Sequence, residues 1–261
     1  MTCNALRKIL VVLFLCSLVR TSGAAVNQQD KSALLKKASA AYYTLKSQGV
    51  SGFKCVASSD WNKYIEDNLK QNPLPDAAVA KLKTVRMEVS VSDTGAPTVT
   101  AVTPDGSEID DSISQVTDAA SQFINSFYQA WWPFVFNNPF TDFDPNYDLQ
   151  NNGSGYQIHQ KQGASDVTIV MGKDYALSEM DVVLPNNSTI FRPKYTSTNK
   201  GLLLSELETD TKASQQQVNI TVSYQDVEGL KLPSKMSYKM NVPNGSAAIE
   251  VTFTKYQLIK S

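Results

Sequence analysis

Apolar positions along this chain follow two periods, and the change from one to the other divides it. Near the start, Leu34, Leu35, Ala38, Ala41, Tyr42 and Leu45 recur at helical spacing behind Asp30, a capping residue, and Gly49 is the expected stop. A short strand is expected at Phe53 to Ala57. A second helix is expected from Asp60 to Asn72, with Trp61, Tyr64, Ile65 and Leu69 on one stripe and Pro73 and Pro75 ending it. "DAAVAKLK" adds two further turns.

In "VRMEVSVS" the period becomes two. Val85, Met87, Val89 and Val91 alternate with polar residues, the mark of a strand dry on one face and wet on the other. Pro97 to Thr103 is expected to pair with it through a turn at Asp93-Thr94-Gly95. Ser107 and Asp110 make a capping-box-like start for a third helix, whose stripe is Ile109, Ile113, Val116, Ala120, Phe123, Phe127 and Ala130. From about Tyr147 onward only alternating strands are found, including Val167/Ile169/Met171, Val218/Ile220/Val222/Tyr224, Met236/Tyr238/Met240/Val242 and Ile249/Val251/Phe253.

The fold class expected is therefore α+β. Seven or eight antiparallel strands plus the hairpin near residue 90 present one apolar face, and about three amphipathic helices are available to cover it. Two arrangements satisfy that pattern: helices flat on an ordinary sheet, or a curved sheet closing around them with room left over. No linker or fixed-period repeat interrupts the chain, so one domain is expected from residue 25 to 261, with a helical insertion at about 107–140.

One stretch does not fit a simple amphipathic helix. "NSFYQAWWPFVFNNPF", Asn125 to Phe140, holds seven aromatic rings in sixteen residues. Tyr128 and Trp132 lie off the main stripe, and Pro133 and Pro139 are expected to break the helix so that rings continue into a loop. A segment apolar on several sides needs a second apolar partner beyond the face that a helix normally buries. That partner is the sheet's inner face, a ligand, a second protein or a bilayer surface. The candidate ligand-binding residues are Phe127, Trp131, Trp132, Phe134, Phe136 and Phe140.

Composition changes this picture in three ways. Arg7 and Lys8 precede an apolar run from Ile9 to Val19, and Ser22, Gly23, Ala24 and Ala25 follow, the layout of a secretory signal peptide over residues 1–24. The run is shorter than the roughly 20 residues that a spanning helix needs. The leader contains three of the 24 basic residues and no acid, leaving 21 against 25 acidic, a balance of −4 that disfavours nucleic acid. It also takes Cys3 and Cys16, so Cys55 alone remains and no internal disulfide forms. An exported chain of this size without disulfides points to a bacterial envelope, periplasmic or secreted, more than to an animal secretory pathway; the Asn-x-Ser/Thr matches at Asn152, Asn186, Asn187, Asn219 and Asn244 pull the other way.

No catalytic constellation is apparent. His159, the single histidine, falls on the wet face of "GYQIHQKQ" without a paired nucleophile. Cys55 lies on an apolar strand face with only Lys54 beside it, and reads as a small buried hydrophobe. Asp142, Asp144, Asn146 and Asp148 take the odd places of a calcium loop, but Tyr147 stands where the turn needs glycine and Gly153 where the bidentate glutamate belongs. "NNGSGYQI" lacks the third glycine and following helix of a dinucleotide loop. No enzyme activity, metal or cofactor is expected.

Val222 to Ile259 resembles the closing strands of the periplasmic lipoprotein-carrier superfamily, which includes LolA, LolB and the outer-membrane lipoprotein-sorting proteins. The matching features are the "GLKLP" turn at Gly229 to Pro233, a Pro-Asn-Gly turn, and a last strand ending in Tyr-x-Leu; the helix leading to a "GF" strand, Ala33 to Phe53, is similar as well. The resemblance implies an incomplete barrel plugged by helices, with an apolar cavity for acyl chains. No residue here matches that family's ligand-releasing arginine. The partners expected are a hydrophobic ligand, acyl chain or lipoprotein, held under a helical lid, and an envelope protein. The alternative is a protein-interaction or envelope-sensing module with a filled core. The chain is expected to be monomeric.

Overall fold

The computed structural model describes residues 28–92, 97–141, 143, 146–151 and 153–260. The expected leader, the 93–95 turn, and Asp142 and Asp144 of the calcium-like loop lie outside these residues.

The first half of the chain carries most of the helix. It runs α1 (Gln28–Ala40), β1 (Val50–Ser59), α2 (Trp61–Asn68), α3 (Asp76–Leu82), β2 (Arg86–Ser92), β3 (Thr98–Val102) and α4 (Asp111–Val135). The second half is all strand: β4 (Asp148–Asn151), β5 (Gly155–Gln162), β6 (Ser165–Gly172), β7 (Leu177–Leu184), β8 (Asn187–Thr198), β9 (Gly201–Thr211), β10 (Gln216–Val227), β11 (Leu230–Val242) and β12 (Gly245–Lys260). Among the described residues all twelve strands form one antiparallel sheet in the order β3-β2-β1-β12-β11-β10-β9-β8-β7-β6-β5-β4. Every neighbour is a chain neighbour except one: β1 closes onto β12, with Phe53 opposite Leu258 and Ala57 opposite Phe253. The sheet stays open, with β3 and β4 as its edges.

Alternation puts one face of this sheet in the core, and α4 lies against it. At 100° per residue, the buried residues Ala120, Ile124, Phe127, Tyr128, Trp131, Phe134 and Val135 span a stripe about 120° wide. A stripe of that width is satisfied by a sheet that wraps around the helix. Phe123 meets Tyr238 of β11, Phe127 stacks on Phe253 of β12, Tyr128 packs on Phe53 of β1, and Phe134 meets Phe191 of β8. The α+β expectation, with a curved antiparallel sheet covered by helices, therefore holds.

Several boundaries differ from the expectation, each for a local reason. The first helix stops at Ala40 instead of running on to Gly49, because Tyr43 N–H donates to Leu202 carbonyl at 3.0 Å and Leu202 N–H to Ala41 carbonyl at 2.8 Å, which draws the chain out against β9. The cap of α4 is Asp110, whose carboxylate accepts from Ser112 N–H at 2.9 Å. Ser107 is instead held in a turn by Asp105, which accepts from its N–H and hydroxyl. Pro133 does not end α4, which continues to Val135. The partner that proline cannot supply belongs to the carbonyl of Gln129, on an exposed residue where water can serve. The end of the helix is closed by Leu45 and Lys46, whose N–H groups donate to the Val135 and Phe136 carbonyls at 2.9 and 3.0 Å.

Candidate functional site

The aromatic stretch separates into two groups. Phe127 and Phe136 are fully buried, Trp131 and Phe134 are 1% exposed, and Phe140 is 3% exposed. Their contacts are with the protein. Trp131 sits edge-on to Phe53 and Tyr128, and its indole N–H donates to the Tyr224 hydroxyl at 3.0 Å. Trp132, one residue and 100° further round, falls just outside the stripe and stays partly exposed. Its ring stacks on Phe136 at 6.1 Å and 10°, and its N–H has no acceptor among the described residues.

Trp132 fronts an open apolar groove of about 240 Å³, between the end of α4 and the inner faces of β6 and β7. Its other walls include Pro139, Phe143, Val167, Met180 and Val182. The asparagines at its rim are spoken for. Asn138 Nδ2 donates to Ser39 carbonyl at 2.8 Å and its Oδ1 accepts from Phe140 N–H at 2.9 Å, while Asn137 Oδ1 accepts from the Thr141 hydroxyl at 3.2 Å. These bonds hold the turn after α4 and leave the groove apolar. Alternation along β7 continues the row Met180, Val182 to Leu184, which is 44% exposed. Phe136 behind Trp132, and Phe140 edge-on to Phe143, back the wall from inside. Val167, Met180, Val182 and Phe143 were not among the expected ligand residues. The alternation that put Val167 on the inner face was visible in the sequence, but the meeting of β6 and β7 with the end of α4 was not.

The reactive candidates are dispersed. Cys55 is buried on β1, its Sγ 3.6 Å from the Tyr128 hydroxyl, and burial pushes the thiol up to about 11. Burial likewise raises Tyr128 well above the ordinary tyrosine range. Such a thiol is not a nucleophile at neutral pH. His159 is on β5, far across the sheet, half-exposed, with Nε2 3.6 Å from Asp166 Oδ1. Among the described residues no three His, Cys, Asp or Glu side chains gather where a metal ion could bind, and no helix is long and apolar enough to cross a membrane.

No family model and no curated protein matches the chain. Among solved structures it is similar to a chain of the crystal structure of MucB in complex with MucA(peri), over 87% of this chain and 93% of that one, at 9% identity and a TM-score of 0.15. At that score the likeness supports no statement about this chain.

Proposed function

We propose that this chain is a non-enzymatic envelope protein that holds one acyl chain of a lipid or lipoprotein in the groove beside Trp132. The observation carrying this reading is the groove itself: apolar side chains from α4, the following turn, β6 and β7 converge on a hollow whose flanking asparagines are already hydrogen-bonded. Drug-sized pockets run from about 300 Å³ upward, so about 240 Å³ takes a segment of a chain and not a whole lipid. Burial supplies about 25 cal/mol per Å² before ordering costs. Trp132 is the contact ring, and Phe136, Phe140, Phe134, Trp131 and Phe127 are the layers behind it.

The test uses a brominated fatty acid, which quenches only nearby indoles. Trp61 and Trp131 are buried at 3% and 1% exposure, so quenching should come from Trp132 and vanish in Trp132→Phe. Titration without quenching, or quenching unchanged in Trp132→Phe, removes the reading. A second reading is favoured by the filled interior, in which the α4 rings are consumed by the protein's own packing: the same groove receives an apolar side chain of a protein partner. In that case mass spectrometry of gently extracted protein finds no lipid, and a partner copurifies that Met180→Lys releases.

A further inference from the structure

The sheet's outer face carries a second hollow, of about 300 Å³, where β12, β1, β2 and β3 lie side by side. Strand register arranges its side chains in two rows. Gln257, Lys54, Ser90 and Thr98 stand opposite one another across the four strands, and Val56, Glu88 and Thr100 form the adjacent row. Directly opposed residues lie about 5 Å apart. The second row is completed by a bulge: pairing of β1 with β12 slips between Lys54 and Val56, and Lys255, in the bulge, has φ of 53°. That left-handed backbone, which favours glycine, turns Lys255 outward beside Thr254 and returns Tyr256 to the core, where its hydroxyl donates to Pro233 carbonyl at 2.7 Å.

Not every charge on this sheet is paired. Elsewhere on the sheet Lys194 lies 3.0 Å from Glu206 and Lys231 2.9 Å from Asp226. Lys54, Lys255 and Glu88 have neither an ion pair nor a side-chain hydrogen bond among the described residues, although all three line one cavity. Two unspent ammonium groups, one carboxylate, an amide and several hydroxyls converge there. Lysines bind phosphate as point charges, while a carboxylate and hydroxyls accept and share the hydrogen bonds of a polyol. We propose that this hollow is a binding site for a phosphate carried on a polyol, with Lys54 and Lys255 on the phosphate and Glu88 accepting from a ligand hydroxyl.

Two sources offer that chemistry, a free sugar or glycerol phosphate and a phospholipid headgroup. The test titrates the whole protein with glycerol 3-phosphate by amide NMR, and in parallel sediments it with phosphatidylcholine vesicles containing phosphatidylglycerol. Lys54→Gln and Lys255→Gln should each weaken binding about tenfold. Both side chains are exposed, so the circular dichroism of the variants should match the parent. Lysine-dependent binding in the first experiment identifies a soluble ligand, and in the second alone a headgroup. Absence of saturable binding in both, or binding that survives the double variant, overturns the proposal. Neither result bears on Trp132, which lies on the opposite face.

Discussion

Trp131 and Trp132 are adjacent, yet their replacement by alanine should give opposite results. Trp131 is 1% exposed, and a buried tryptophan removes up to about 250 Å² from water. At about 25 cal/mol per Å² that is roughly 6 kcal/mol, an upper figure, because the retained β-carbon and a partly collapsed unfolded chain reduce it. Cavity formation next to Phe53, Tyr128 and Phe127 brings the expected cost of Trp131→Ala to about 3–5 kcal/mol. That is a large part of the roughly 5–15 kcal/mol typical of a folded domain. Trp132→Ala gives up a stack with Phe136 and one groove wall, and it also removes an indole N–H with no acceptor among the described residues, so about 1–2 kcal/mol is expected. Urea unfolding followed by circular dichroism measures both, and acyl-chain quenching or uptake is measured on whichever variant remains folded. Trp132→Ala should be stable and fail to bind; Trp131→Ala should be destabilised and, where folded, still bind. Equal destabilisation of the two, or loss of binding confined to Trp131→Ala, would refute the division between core ring and groove ring.

Three further outcomes follow from particular contacts. Tyr224→Phe removes the acceptor of the buried Trp131 N–H and should cost on the order of 1–3 kcal/mol in urea titration, though it deletes one oxygen. Gly201→Ala should destabilise by at least about 1–3 kcal/mol: its φ is 120°, and an added β-carbon would lie 2.8 Å from the backbone of Ala41, Tyr42 and Tyr43. Burial holds the Cys55 thiol protonated up to about 11, against 9.0 for an ordinary thiol, so the folded state binds that proton more tightly than the unfolded one. Its contribution is complete below pH about 9 and is lost as pH rises through about 11, with a slope of up to about 1.4 kcal/mol per pH unit. Comparing urea midpoints of the parent and Cys55→Ser over that range isolates it, and a parallel decline in both would sink the assignment.

Where one face was wet and the other dry, the strands were plain in the sequence. Met87, Val89 and Val91 fall in β2, Val167 to Met171 in β6, and the runs from Val218 onward in β10, β11 and β12. Strand β9 was harder to read, since "GLLLSELETDT" holds three consecutive leucines, and Leu203 and Leu204 are both buried. A slip in the β8–β9 pairing between Lys194 and Tyr195, which leaves Ser205 as an extra residue, accounts for the three-residue spacing of the buried Leu204 and Leu207. The closure of β1 onto β12 joins residues some two hundred positions apart, and no local period encodes such a pairing. Similarly, the early stop of α1 depends on Leu202, a residue its own periodicity does not contain.

The site was legible to the same depth and no further. Of the two rings expected off the stripe, Trp132 lies outside the buried face, whereas Tyr128 is fully buried on it, because that face is wider than the spacing of apolar positions implied. The two then parted because the sheet curves. Tyr128, about 100° from Phe127, is met by Phe53 and Phe253, which β1 and β12 carry round the helix. Trp132, about 40° beyond Tyr128, passes the limit of that coverage and faces the gap before β6 and β7. Periodicity gives the angle at which a side chain leaves its own helix. Whether it meets protein at that angle depends on how far the opposing sheet reaches, which is set by strand number and curvature. A single ring at the border between the two is therefore where the groove proposed for binding opens, and Phe136 and Phe140 back its wall from inside.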